Sequence, residues 1–377
     1  MAGQPDWYIG LMSGTSMDGI DAVLVGFGPE GIETSWHTSH SYPDNLQAQL
    51  EELAANQGTP SLLGEADTRL GDAFAHAALA VTEKAGLRPE HVTAIGSHGQ
   101  TVQHCAEPPS PFSLQIADPN RIAEGTGITT VGDFRRRDIA AGGQGAPLAP
   151  AFHTWLFSAP GRMRCLINLG GIANITLIPG DHRPPQGHDT GPANRLMDLW
   201  CKRHQGHSFD HNGQWAASGT VCEPLLRTFL SDTYFSRQPP KSTGREHFNE
   251  DWLEAHLRAL PDTPKPEDVQ RTLLELTAVT VTRDINAMGA EEVFLAGGGA
   301  FNPLLAERIA SLLPEASVDS TTALGLDPQS VEGAAFAWLA RQRLNNAPGN
   351  LPSVTGASGP RVLGGVWPGG AGTSDAE

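Results

Sequence analysis

Residues 10–26 read GLMSGTSMDGIDAVLVG, with glycine, serine, threonine and aspartate set between two apolar runs. Consecutive backbone N–H groups in such a turn form a concavity for phosphate oxygens, and Ser13, Thr15 and Ser16 add hydroxyl donors. The same composition also serves an ordinary hairpin turn. No lysine follows the glycines and the next segment reads as a strand, so the stretch is not a P-loop. Asp18 stands where a nucleophile elbow needs its second glycine, which disfavours a hydrolase built on Ser16. Asp18 and Asp21 have a plain use at a nucleotide, as carboxylates that hold Mg²⁺ directly or through its waters; for Asp21 a strand-edge charge is the alternative. Two further glycine turns follow. NLGGIAN contributes Gly170 and Gly171, and Gly297, Gly298 and Gly299 either let an adenosine lie against bare backbone or make a tight strand-to-helix turn.

The elements that must carry these turns are legible from periodicity. WYIGLM and IDAVLVGF predict a hairpin, and RCLINLGGIANITLIPG repeats its plan of strand, glycine turn and strand, which predicts a duplication. Residues 61–85 place apolar side chains at three- and four-residue steps, as do PANRLMDLWCKRH, VQRTLLELTAVTVTRDINAMG and SVEGAAFAWLARQRL, and all four predict helices. HVTAIGSHGQT predicts a short strand ending at Gly96, GITTVGDF another, and EEVFLAGGGAFNP a strand, a glycine turn and a helix starting near Pro303. The Gly/Pro/Ser-rich end from Asn345 is expected to be irregular, and frayed after Gly365.

A chain of 377 residues suggests two domains with a cleft between them. Its formal charge of −17 argues against nucleic acid and anionic membrane as partners, since both require a basic surface. Positive charge is nonetheless gathered in DFRRRD, residues 133–138. The four cysteines are scattered and read as free thiols, and His204, His207 and His211 read as solvated loop residues rather than a zinc site. With no apolar run of membrane-spanning length and no signal-peptide start, a cytoplasmic location is expected.

Three glycine turns, two of them in matching hairpins, resemble the sugar kinase, Hsp70 and actin superfamily. Within it, MSGTSMDGIDAVL, GSHGQT, GDFRRRDIAAGGQGAPL, NLGGIANIT, DTGPANRLMD and GGGAFNP together resemble the anhydro-N-acetylmuramic acid kinase family, over about residues 7–365. The resemblance implies an α/β fold of two related actin-like ATPase domains with an ATP cleft between them. They would span residues 1–130 and 131–359, with the tail 360–377 packing on the first.

It also implies an unusual reaction. ATP phosphorylates the 6-oxygen of 1,6-anhydro-N-acetylmuramic acid while water opens the anhydro bridge, giving N-acetylmuramic acid 6-phosphate and ADP in peptidoglycan recycling, by a homodimer. ATP would be held by Gly14, Thr15, Ser16, Met17, Asp18, Gly19, Ile20 and Asp21, by Gly170 and Gly171, and by Gly297, Gly298 and Gly299, with Mg²⁺ at Asp18. Asp189 is the expected base for the attacking water, although by sequence alone it is equally a helix cap before Pro192. Asp189, His98, Gln100, Glu332 and one of Arg136 or Arg137 are the expected sugar contacts; in a strand the three arginines could not all face one site. An ordinary hydroxyl-directed sugar kinase and a non-catalytic sugar or ATP sensor are the alternatives.

Overall fold

The computed structural model describes residues 5–14, 17, 19–29, 31–239, 241–245 and 247–370. Thr15, Ser16 and Asp18 lie outside them. The chain forms two compact α/β units, residues 1–152 together with 330–377, and residues 153–329.

In the first unit β1 (Asp6–Ser13), β2 (Ile20–Gly28) and β3 (Gly31–His40) form an antiparallel meander. β4 (Val92–Cys105) then joins β1 in parallel, with β5 (Phe112–Ile116) folding back on its second half and β6 (Thr130–Gly132) parallel on its far side. The second unit repeats the plan. β7 (Arg164–Leu169), β8 (Ile172–Ile178) and β9 (Gln186–Pro192) form the meander, and β10 (Glu292–Ala296) and β11 (Ser317–Ser320) add in parallel beyond β7. The orders β3-β2-β1-β4-β6 and β9-β8-β7-β10-β11 are therefore the same, and the expected duplication is a structural fact. Two related α/β sheets with this shared plan match the fold class that the superfamily resemblance implies.

Helices cover both sheets. Pro60–Lys84 is a single helix whose start is fixed by Thr59, which accepts from Leu62 N at 3.2 Å, and by proline at its first position. Its buried Leu70, Phe74, Ala77 and Val81 pack into the first core. In the second unit Pro266–Met288 buries Val269, Leu273, Leu276 and Val281 in the same way.

Residues 131–152 and 330–359, expected with the second domain, belong to the first unit. One reason is Asp138, fully buried, whose carboxylate accepts from Asn350 Nδ2 at 2.7 Å, Thr355 Oγ1 at 2.8 Å and Gly145 N at 2.8 Å. The other is the helix Val331–Leu344, which lies against β1 and β4 at bare glycines. A Cβ on Gly10 would overlap the Gly333 carbonyl oxygen, and one on Gly96 the Phe336 carbonyl oxygen. The described segment after Asn345 is also less irregular than expected, since β12 (Gly365–Trp367) pairs antiparallel with β6. Gly96→Ala should destabilise the first unit by about 1–3 kcal/mol. A urea midpoint equal to that of the parent protein would mean that the helix does not press on the sheet there.

Candidate active site

The three glycine turns follow the last residues of β1, β7 and β10. The first hairpin tip is held by side chains. The Ser13 hydroxyl lies 2.7 Å from the Gly19 carbonyl and 2.8 Å from Gln100 Oε1, and Tyr42 OH donates to that same Oε1 at 2.7 Å. Gly14 accepts from Met17 N at 3.2 Å, and Met17, at φ +54°, sends its side chain into the core. Gly19 passes so close to His40 O that a Cβ would sit 2.5 Å from it, and Ile20, which opens β2, is buried. Gln100, expected at the sugar, is therefore wholly buried and braces the turn. Asp21 is likewise engaged elsewhere. Ser39 Oγ donates to its carboxylate at 2.5 Å and His37 Nε2 lies 3.1 Å away; against the upward push of burial, these bonds hold its pKa below the usual carboxylate range.

The second hairpin is held by its backbone. The carbonyls of Gly170 and Gly171 accept from Asn194 N and Ala193 N, both at 3.0 Å, and so occupy the start of the helix Asn194–Gln205. Asn194 Nδ2 also donates to Leu169 O at 2.8 Å. The third turn follows β10. Gly297, at φ +76°, and Gly299 are required by packing, since a Cβ on either would lie 2.6 Å from Asn168 or Leu169. A Cβ on Gly298 would make only an ordinary contact, 3.8 Å from Asn194 Nδ2.

Asp189 lies in β9 beside the second hairpin, paired across the sheet with Asn174. It is not a helix cap, because the helix after it begins five residues later, at Asn194. Thr243 N donates to its carboxylate at 3.0 Å, Tyr234 OH to its carbonyl at 2.7 Å, and its own N–H to Lys241 O at 3.2 Å. Burial, and secondly the Asp189 charge, raise the Tyr234 pKa, so its hydroxyl stays a donor. Next to it, His188 bonds Asp284 at 2.8 Å.

The arginine run is a helix, Arg135–Ala140, and not a strand: β6 stops at Gly132 and Asp133 turns the chain at φ +57°. Helical spacing puts Arg135 on the face of buried Asp138 and Ile139, a signal the strand reading missed. Arg135 reaches inward, donating to His98 Nε2 from Nη2 at 2.9 Å and to Gly145 O from Nη1 at 2.8 Å. Burial lowers its pKa to about 10, although the Glu332 charge, in the first turn of the helix Val331–Leu344, opposes the shift. Arg136 instead pairs with Asp133 at 2.6 Å, and Arg137 is exposed.

β4 does not end at Gly96 but runs to Cys105, because β5 supplies a partner for its second half. His98 is thus inside the strand and buried, its Nδ1 donating to Gly99 O at 2.8 Å and its Nε2 accepting from Arg135. A cavity of about 160 Å³ opens beside it, lined among others by Ser97, His98, Gln115, Asp133, Arg136 and Trp367. Ser97 Oγ is buried there with no hydrogen-bond partner among the described residues; the GSHGQT motif contains the residue, but nothing in the motif sets it apart from its neighbours.

Burial, reinforced by the Arg135 charge, pushes the His98 pKa down to about 3. A histidine neutral in the fold but protonated when unfolded contributes stability above its unfolded pKa near 6.5, and loses it as pH falls from there toward 3. His98→Gln should therefore flatten the decline of urea stability between pH 6.5 and 5 by roughly one proton, about 1.4 kcal/mol per pH unit. An unchanged slope would show that His98 is protonated in the folded protein.

A family model described as anhydro-N-acetylmuramic acid kinase matches residues 6–369. The chain is 48% identical over 371 residues to the anhydro-N-acetylmuramic acid kinase of Photobacterium profundum, covering 96% of this chain and 98% of the relative. It is 50% identical over 368 residues to that of Xylella fastidiosa, covering 96% of each. Among solved structures it is similar to the activator of the 2-hydroxyisocaproyl-CoA dehydratase from Clostridium difficile with bound ADPNP, at a TM-score of 0.45 and 15% identity over 90% of this chain and 96% of that one. With the family pattern matched almost end to end on this duplicated fold, the chain belongs to the anhydro-N-acetylmuramic acid kinase family.

Proposed function

We propose that this kinase transfers the γ-phosphoryl group of ATP to the 6-oxygen of 1,6-anhydro-N-acetylmuramic acid while water opens the anhydro bridge. The observation that carries the reading is Asp189, a residue held at its carboxylate, its carbonyl and its N–H beside the second glycine hairpin of a chain in this family. Water is a poor nucleophile, so Asp189 takes one of its protons as the water oxygen bonds to the anomeric carbon. The bond from that carbon to the 6-oxygen breaks, and the electron pair left on the 6-oxygen attacks the γ-phosphorus in line as ADP departs. The products are N-acetylmuramic acid 6-phosphate and ADP, with the proton released from Asp189 to solvent.

The phosphate tail of ATP is assigned to Gly14, Met17, Gly19 and Ile20, together with Thr15, Ser16 and Asp18 outside the described residues, and to Gly170 and Gly171. Gly298 fits an adenosine, since it is the one of the three glycines whose Cβ position is not crowded by neighbouring atoms. Mg²⁺ would be held by Asp18 and neutralise phosphate charge. Asp21 is engaged by His37 and Ser39 and is left to brace β2 against β3. Among the described residues no three His, Cys, Asp or Glu side chains converge as a metal site, which suits an ion whose other ligands are phosphate oxygens and water.

The sugar is assigned to the cavity beside Ser97, His98 and Arg136. A sugar hydroxyl there gives Ser97 Oγ the partner it otherwise lacks. Arg136 meets the substrate carboxylate, while Glu332 and Arg135 set the local charge. Among the described residues no helix is long and apolar enough to cross a membrane. A role in peptidoglycan recycling in the cytoplasm, as a homodimer, completes the reading.

With 1,6-anhydro-N-acetylmuramic acid and Mg·ATP in ¹⁸O-enriched water, the product should gain one phosphate and one labelled oxygen by mass spectrometry. Phosphate without label would make this an ordinary hydroxyl-directed kinase, and bound ATP with no product a sensor. Asp189→Asn should cost about 10²–10⁴ in kcat while leaving ATP affinity unchanged. Near-normal turnover would remove Asp189 as the base.

A further inference from the structure

A second and larger cavity in the first unit, about 630 Å³, is lined by Arg136, Arg137 and Arg343, with Asn346, Val362 and the Gly364–Gly365 backbone completing its wall. Arg343 is fixed at its rim, donating from Nε to Gly364 O at 2.9 Å. Neither Arg137 nor Arg343 has an ion-pair partner among the described residues. Among the described residues the one carboxylate in the wall is Asp133, already paired with Arg136. Three guanidinium groups against one carboxylate leave two positive charges around one cavity, in a chain of net charge −17. Clustered guanidinium groups repel one another, and planar bidentate donors are suited to an oxyanion that relieves the repulsion. A dianion matches the surplus.

We propose that this cavity binds a phosphate monoester and that its occupancy weakens sugar binding in the smaller cavity. A monoester carries nearly two negative charges at pH 7 and three acceptor oxygens, one for each guanidinium. The volume, within the range of small-molecule sites, leaves room for an organic group beyond the phosphate. Asp133 and Arg136 line both cavities. An ester oxygen competing for Arg136 leaves the Asp133 carboxylate unpaired toward the smaller cavity, where it repels an anionic sugar. This coupling rests on the proposed function; the binding of the ester does not.

Isothermal calorimetry of the whole protein without ATP, with glucose 6-phosphate as the probe, tests the site directly. Arg343→Gln should weaken binding about tenfold or more, as expected for a lost hydrogen bond to a charged group. Val362→Glu, which keeps the Arg343 bond to Gly364 and puts a carboxylate in the cavity, should do the same. In kinase assays the ester should raise KM for the sugar and spare kcat in the parent protein, and have no effect on Arg343→Gln, whose kinetics without ester should match the parent's. Unchanged affinity in both variants, or no binding by the parent protein at millimolar ester, would overturn the proposal. Inorganic phosphate binding as tightly as the ester would overturn the monoester assignment. A failed isotope experiment with intact calorimetry would sink the proposed reaction and leave this site standing.

Discussion

The first unit depends on an approach of helix to sheet that only glycine permits. Gly10 in β1 and Gly96 in β4 lie under the carbonyl oxygens of Gly333 and Phe336, so backbone meets backbone with no side chain between. Close contact of this kind fixes the helix Val331–Leu344 against two strands at once. Three consequences follow. A segment more than 200 residues away in sequence is bound into the first unit, Glu332 is brought within electrostatic reach of Arg135, and the rest of the C-terminal segment can run on to Asp138 and to β6.

Much of the fold was legible because its signals are local. Both hairpins, the long helices and the strand–glycine–helix unit near Pro303 follow from apolar spacing and turn residues. The boundary between units was not legible, since it is set by contacts such as Asn350 with Asp138 that span over 200 residues. The reach of β4 to Cys105 was hidden for a similar reason: polar residues after Gly96 extend as a strand only because β5 offers a ladder.

At the site, the residue types were readable and their assignments were not. DFRRRD gathers positive charge in the sequence, but only a helix explains why Arg135 turns inward while Arg136 and Arg137 line cavities. His98 and Gln100 were expected as polar groups beyond a strand end, whereas both lie inside β4. Their hydrogen bonds, however, serve Arg135 and the first hairpin, because a buried polar group must find partners within the protein. Ser97 is the reverse case, an inconspicuous residue whose buried hydroxyl still lacks one.

The two halves of the repeat hold their glycine turns by unlike means. Side chains from Ser13, Tyr42 and Gln100 brace the first, while main-chain carbonyls seated on a helix start brace the second. Single substitutions can loosen the first brace, whereas the second rests on main-chain bonds and, among the described residues, the Asn194 side chain on Leu169 O. The two copies of one plan therefore differ in mutational tolerance, the first turn being the more exposed to damage by a single side-chain change.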